Sequence, residues 1–311
     1  MLPVKHFFPQ DFFEEEVKCG YCVSPKLKKI WAVEIDLLCE LLRVCEKYSI
    51  KVQVFAGTLL GAVRHKGMIP WDDDIDVAMS RSDWNRLCAV SEAEFTHPYF
   101  FQTAFSDRRR YTPYARLRNS LTTGIITGAA SPDYNNGIFI DIFPLDGIGD
   151  TRLKRTVQAI MLRAATKCCT SYYGIANARS WMGVVISILV FPFIRFLPYR
   201  FWLWLHDAIS SMWTRRAKFV GLVGSFQFGE RYKMESCNLE RLTMLPFENI
   251  KVPCPVDYES VLHEIYGDYT QYPQIKDRGA WHLGKIFFDP ERPYQDYFKS
   301  GKFDGYEVVS K

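Results

Sequence analysis

The chain has 311 residues, 48% of them hydrophobic and 15% aromatic, which allows a large core and excludes a disordered polymer. Its formal charge of +4 suits a polyanionic small molecule or an anionic membrane surface and is too small a surplus to point to nucleic acid. Nine scattered cysteines and an opening, Met1 to His6, without a secretory pattern read as free thiols in a reducing cytoplasm.

An N-terminal extension, 1–24, precedes a helix predicted over 25–48. Leu27, Ile30, Trp31, Leu37, Leu38, Leu41, Leu42 and Cys45 recur near the 3.6 period, with Ser24 as cap and Pro25 in the first turn. Within the extension, Cys19-Gly-Tyr-Cys22 has half of a zinc-site spacing, but no second pair follows at finger spacing. Residues 51–56 alternate and read as a strand, broken at Gly57-Thr58. A short helix over 58–65 and a second strand over 74–79 follow. Residues 82–93 are predicted as a helix capped by Ser82. Strands are expected around 114–117 and 122–127. After a turn at Asn135-Asn136-Gly137 comes a strand over 138–143 that Pro144 should end.

Residues 25–150 therefore form an α/β or α+β unit with a mixed sheet. From Thr151 the texture changes to a helical, partly hydrophobic segment, 151–235. Its uncharged run, 181–194, is shorter than the ~20 residues that span a bilayer. With the Trp, Phe and Arg residues up to 205 it suits a membrane interface, the other readings being a buried helical hairpin or a true span. Residues 236–311 return to mixed texture, with a short helix over 258–266, a turn-rich loop over 267–273 and a peripheral tail after Pro290.

The chemistry concentrates between 55 and 77. Asp72, Asp73, Asp74 and Asp76 place four carboxylates in five positions, which a fold tolerates where cations neutralise them. Strand alternation sets Asp72, Asp74 and Asp76 on one face and Asp73, Ile75 and Val77 on the other. Asp74 and Asp76 are the natural metal pair, with Asp72 nearer the rim; hard oxygen ligands favour Mg²⁺ or Mn²⁺. Asp141 interrupts an apolar strand and needs a partner there. That partner is either a metal shared with Asp74 and Asp76, or an arginine or backbone donors.

Gly57-Thr58 resembles a turn that brings a phosphate to backbone N–H groups, with Thr58 as helix cap or phosphate donor. Arg64, His65 and Lys66 read as cations for a substrate diphosphate or as an exposed basic helix end. Arg116 and Arg118 share a strand face and are further phosphate-clamp candidates. Arg108-Arg109-Arg110 reads as a solvated charge run. His282 either reaches the site or is structural.

The run Gly57-Thr-Leu-Leu-Gly-Ala-Val-Arg-His-Lys-Gly67, continued by Ile69-Pro-Trp-Asp-Asp-Asp-Ile-Asp76, resembles the LicD family of phosphotransferases, whose eukaryotic relatives include fukutin. Gly137-Ile-Phe-Ile-Asp-Ile-Phe-Pro-Leu-Asp146, Phe247-Glu248, Val252-Pro253, Tyr266-Gly-Asp-Tyr269 and His282 support the likeness, which covers roughly 26–150 and 236–285. It implies an α+β, nucleotidyltransferase-like fold: a mixed sheet flanked by helices, with a helical insertion. Gly57-Thr58 would be its phosphate turn, Asp74 and Asp76 its metal ligands and Asp141 its third carboxylate. The implied reaction moves a phosphorylated headgroup, phosphocholine or an alditol phosphate, from a CDP-linked donor to a glycan or lipid-linked glycan, releasing CMP. It would use Mg²⁺ or Mn²⁺ at the inner face of the cytoplasmic membrane, with peripheral membrane contact and no nucleic acid. The other readings are a nucleotidyltransferase that releases pyrophosphate from an NTP, and a non-catalytic glycan- or membrane-binding protein.

Overall fold

The computed structural model describes residues 2–107, 111–127, 131–172, 194–225, 232–279, 285–300, 302–303 and 306–307. The arginine run 108–110, the apolar run 181–193 and His282 lie outside the described residues. The chain divides into two units: 1–102 with 115–144 and 237–311, and 103–114 with 145–236.

The first unit opens with the hairpin β1 (Glu16–Lys18) and β2 (Tyr21–Val23). Helix α1 (Pro25–Lys47) starts as expected: Ser24 Oγ accepts the Leu27 amide at 3.3 Å, and Pro25 sits where no donor is needed. The apolar spacing predicts one buried face, yet Ile30 to Leu38 are buried all round. The N-terminal extension covers the polar side. The amides of Lys5 and His6 donate to Asp36 Oδ1 at 2.7 and 2.8 Å, and the Tyr99 hydroxyl donates to Oδ2 at 2.8 Å.

Strand β3 (Gln53–Val54) leads into α2 (Ala56–Leu60), which continues as a π-helical turn over Gly61–His65. The regular helix expected over 58–65 is thus widened at its end. Two glycines permit this: the Gly67 amide donates to the Gly61 carbonyl at 3.3 Å, and a Cβ on Gly61 would lie 2.5 Å from the Gly67 carbonyl. Lys66 ends the turn in the left-handed region, φ 56°.

Strand β4 (Asp76–Ser80) begins two residues later than predicted and runs antiparallel to β3, Val54 opposite Val77. Helix α3 (Arg81–Glu94) is capped by Ser80, not Ser82; Ser80 Oγ accepts the Asp83 amide at 3.1 Å. Then come β5 (Tyr99–Gln102), β6 (Ala115–Asn119), β7 (Thr123–Ile126) and β8 (Ile138–Gly147). In this unit β8 pairs with β4 and β6, and β6 also with β5.

In the second unit, helices α4 (Arg152–Ser171) and α5 (Tyr199–Ser211) pack through Leu162, Ala165 and Ile209. Gln158 Nε2 adds a bond to the Ile209 carbonyl at 2.9 Å. Strands β9 (Phe219–Gly221) and β10 (Met234–Glu235) are antiparallel. Strand β8 runs through Pro144, where a stop was expected. Its pairing with β6 ends at Ile142 and its pairing with β9 begins at Asp146, so neither ladder needs an amide at the proline. Among the described residues no helix is long and apolar enough to cross a membrane.

The chain then returns to the first unit with the hairpin β11 (Leu242–Phe247) and β12 (Ile250–Pro255), followed by α6 (Tyr258–Tyr266). Strand β13 (Ile286–Asp289) pairs with β7, and α7 (Tyr294–Ser300) sets Tyr297 on Ile125. The pair β14 (Lys302–Phe303) and β15 (Tyr306–Glu307) closes the chain. A mixed sheet flanked by helices is the α+β, nucleotidyltransferase-like arrangement expected.

Candidate active site

The acidic stretch is held from three directions. The Trp31 indole on α1 donates to the Asp72 carbonyl at 2.9 Å. The Asp76 amide donates to Thr58 Oγ1 at 2.8 Å, and the Phe55 amide to the Asp76 carbonyl at 2.9 Å. Thr58 therefore fastens the acidic strand rather than capping α2, whose cap position is Phe55. Gly57 faces the same place; a Cβ there would lie 3.1 Å from Asp72 Oδ2. The residue before it, Ala56, is held at φ 46°, a left-handed conformation that L side chains rarely adopt.

Asp72, Asp74 and Asp76 are half-buried, while Asp73, Ile75 and Val77 are buried. The alternation is therefore visible in burial, with one departure. A carboxylate oxygen from each of Asp72, Asp73 and Asp74 can be chosen so that all three lie within 4.8 Å of one another. Alternation had turned Asp73 away. It stands before β4 begins, where the pleat does not yet dictate direction.

Asp141 lies opposite Arg116 across the β6–β8 ladder, and Arg116 Nε donates to its Oδ1 at 2.7 Å. Its amide donates to the Ile75 carbonyl at 3.0 Å, which ties it to the acidic stretch. Burial, with Asp74 and Asp141 nearby, pushes the Asp76 carboxyl well above the usual range, Arg116 opposing. Burial also pushes Asp72 up to about 7. These are the signs of carboxylates gathered with too little positive charge among them.

Sequence reasoning missed Glu34. It is 1% exposed and lies one helical turn beyond Trp31 on α1. Burial raises its carboxyl well above the usual range, and Asp74, Asp73, Asp72 and Asp76 raise it further. The available signal was a carboxylate between Val33 and Ile35, on the same side as Trp31.

The basic residues are arranged differently. Arg64 Nη1 donates to the Tyr269 and Gln271 carbonyls at 2.7 and 3.1 Å, and its guanidinium lies 4.9 Å from the Tyr272 ring centroid. His65 packs between Trp71 and Tyr272, and burial with Arg64 beside it lowers its pKa to about 4. It is a neutral ring at pH 7, not the cation expected. Lys66 is exposed. Arg278, which sequence reasoning also missed, lies 4.7 Å from the Trp71 centroid.

Arg116 and Arg118 do share a face, both over Phe139 at 4.0 and 4.5 Å. Arg118 is 0% exposed and donates to Gln102 Oε1 and the Gly137 carbonyl at 2.5 Å each. That position braces β5, β6 and the turn before β8. The turn 66–68 is locked by the β11–β12 hairpin: the Glu248 amide donates to the Lys66 carbonyl, and Glu248 Oε1 accepts the Met68 amide, both at 2.9 Å.

The donor set fits a hard divalent cation. Clustered carboxylate oxygens supply its preferred ligands, and the buried Glu34 Oε2 has no hydrogen-bond partner among the described residues.

Residues 49–173 match the family described as LicD/FKTN/FKRP, nucleotidyltransferase domain. The chain is 28% identical over 276 residues to the lipopolysaccharide cholinephosphotransferase LicD of Haemophilus influenzae, spanning 84% of this chain and 99% of that protein. Uncharacterised proteins of Rickettsia prowazekii and Rickettsia typhi share 54% identity over 37 residues, 12% of this chain and 14% and 12% of theirs.

Proposed function

We propose that this chain, which belongs to the LicD family of phosphotransferases, moves a phosphorylated headgroup from a CDP-linked donor to a hydroxyl of a surface glycan or lipid-linked glycan precursor, releasing CMP. The headgroup is of the phosphocholine or alditol-phosphate type. The observation that carries this reading is the end-to-end likeness to a cholinephosphotransferase, which extends beyond the motif. The likeness supports transferase activity directly; donor, cation and product are our inference.

In this reading Asp74, Asp76 and Asp141 hold Mg²⁺ or Mn²⁺, with Asp72 beside them. When bound, the cation offsets charge on the donor diphosphate and on the departing CMP. The chain supplies alignment. Thr58 fixes the backbone of Asp76, and Arg116 fixes the direction of the Asp141 carboxylate. Arg64, steadied by two carbonyls, and the exposed Lys66 present positive charge near the phosphates. Gly57 leaves room beside Asp72 for a phosphate to approach the backbone. His282 is retained as a substrate-side candidate. Residues 25–150 with 236–311 carry the chemistry, and 151–235 supplies the membrane contact.

Peripheral contact with the inner face of the cytoplasmic membrane belongs to the same proposal. It is supported by Leu153, Val157, Ile160 and Met161, which expose an apolar stripe along α4, and by exposed Phe196 and Trp204. Sedimentation with anionic liposomes tests it; a protein left wholly in the supernatant refutes it.

The deciding experiment incubates the protein and Mg²⁺ with a glycan acceptor and CDP-choline, CDP-glycerol, CDP-ribitol, CDP-ethanolamine or CTP. Acceptor-dependent CMP release with one CDP donor is expected. Pyrophosphate release from CTP would replace this reading with nucleotidyl transfer, and no turnover of any donor would favour a binding protein.

A further inference from the structure

The α1 side of the acidic stretch carries a carboxylate that the fold has not otherwise used. Glu34 is 1% exposed, and its Oε2 makes no hydrogen bond among the described residues. Leaving such an oxygen buried and unpartnered is unfavourable unless a ligand completes it. Its direction follows from its neighbours on the helix. Trp31, three residues earlier on the same face, already touches the acidic stretch through the Asp72 carbonyl at 2.9 Å. The charges that act on Glu34 are those of Asp74, Asp73, Asp72 and Asp76, in that order. Asp72 and Asp74 are half-open to solvent above, while Asp73 and Glu34 are buried.

We propose that Glu34 is a positioning carboxylate for the cation site of the acidic stretch: it supports from the helix side the cation that Asp74, Asp76 and Asp141 hold, behind the close group of Asp72, Asp73 and Asp74 oxygens. The inference rests on the cation-dependent reading above. Helix α1 is then part of the cation site and not only packing beneath it. Glu34 adds a further buried acid to a stretch that already repels itself, and the cation is the counter-charge that offsets it.

The test is the Mn²⁺ affinity of the full chain, measured by calorimetry and by counting free Mn²⁺ with electron paramagnetic resonance, without any donor or acceptor. Glu34→Gln should weaken Mn²⁺ binding about 10–100-fold, as loss of a supporting carboxylate does at other metal sites. Its cation-free melting temperature should not fall below that of the wild type, because a buried acid without a hydrogen-bond partner is replaced by a neutral amide of the same size. Glu34→Asp, which keeps the charge on a shorter arm, should bind Mn²⁺ more weakly than wild type and more tightly than Glu34→Gln. Wild-type affinity in Glu34→Gln overturns the inference. If Glu34→Gln does not fold, Glu34→Asp decides alone, unchanged affinity again overturning it.

Asp74→Asn, measured in parallel, separates this inference from the function. Loss of Mn²⁺ binding in Asp74→Asn but not in Glu34→Gln removes Glu34 and leaves the phosphotransfer reading standing. A wild type that binds no Mn²⁺ at millimolar concentration removes the cation from both.

Discussion

The acidic stretch and the basic turn are separated by only a few residues, yet the fold treats their charges in opposite ways. Arg64 is satisfied by two backbone carbonyls, His65 is kept neutral by burial, and Arg278 stacks over Trp71. The carboxylates on the other side are crowded, and Asp72, Asp76 and Glu34 all hold their protons more tightly than usual. Positive charge is thus fixed in place by the protein, whereas negative charge is left for something else to compensate. This asymmetry is what a site needs if a cation and a phosphate arrive together.

The strongest way to break the contrast is to remove an acid. Asp76→Asn should lower CMP release about 10³-fold, comparable to losing a key electrostatic group in other enzymes, while the melting temperature stays level or rises. Activity within tenfold of wild type would remove Asp76 from the site.

The next largest effect lies in the turn that separates the two regions. Gly61→Ala places a Cβ 2.5 Å from the Gly67 carbonyl, a backbone atom that cannot swing aside. A loss of about 1–3 kcal/mol in urea unfolding is expected, the range for overpacking a tight site. Gly67→Ala meets the Glu248 side chain instead and should loosen the turn by displacing its carboxylate from the Met68 amide.

The pH dependence of the cation-free protein sharpens the acidic half. Asp72 has a folded pKa of about 7, above its unfolded value, so the folded state binds the extra proton. Its contribution to stability is therefore present at low pH and lost as pH rises from about 4 towards 7. Thermal melts across that window should fall in the wild type and fall less in Asp72→Asn; parallel curves would contradict the assignment. Added Mg²⁺ should flatten the wild-type curve.

The smallest effect is expected on the basic side. Because His65 titrates near 4, it carries no charge change between pH 5.5 and 8. His65→Gln should leave the shape of the pH–rate profile in that range unchanged. A lost inflection near 6.5 would show that the ring is a working cation after all.

Much of the active-site frame follows from local pattern. Ser24, Pro25 and the apolar spacing place α1, and period-two alternation places Asp72, Asp74 and Asp76 on the more open face. Asp141 stood out because a charge inside an apolar strand needs a partner, and Arg116 is that partner. The features that escaped are those decided by distant contacts. Glu34 looks like one more helix residue until Trp31 is seen against Asp72. Arg118 reads as a phosphate clamp until Gln102 and Gly137 close over it. The π-helical turn depends on two glycines meeting across six residues, which no helical periodicity encodes.

The lock on residues 66–68 also has a consequence for biosynthesis. Glu248 bonds the Met68 amide across 180 positions of chain. At ~5–20 residues per second, the ribosome delivers that clamp roughly ten to forty seconds after the turn it secures. A nascent chain therefore carries its acidic stretch well before it can hold that stretch in working order. The locked form of the turn is thus a late product of synthesis, set by chain order and not by the turn's own sequence.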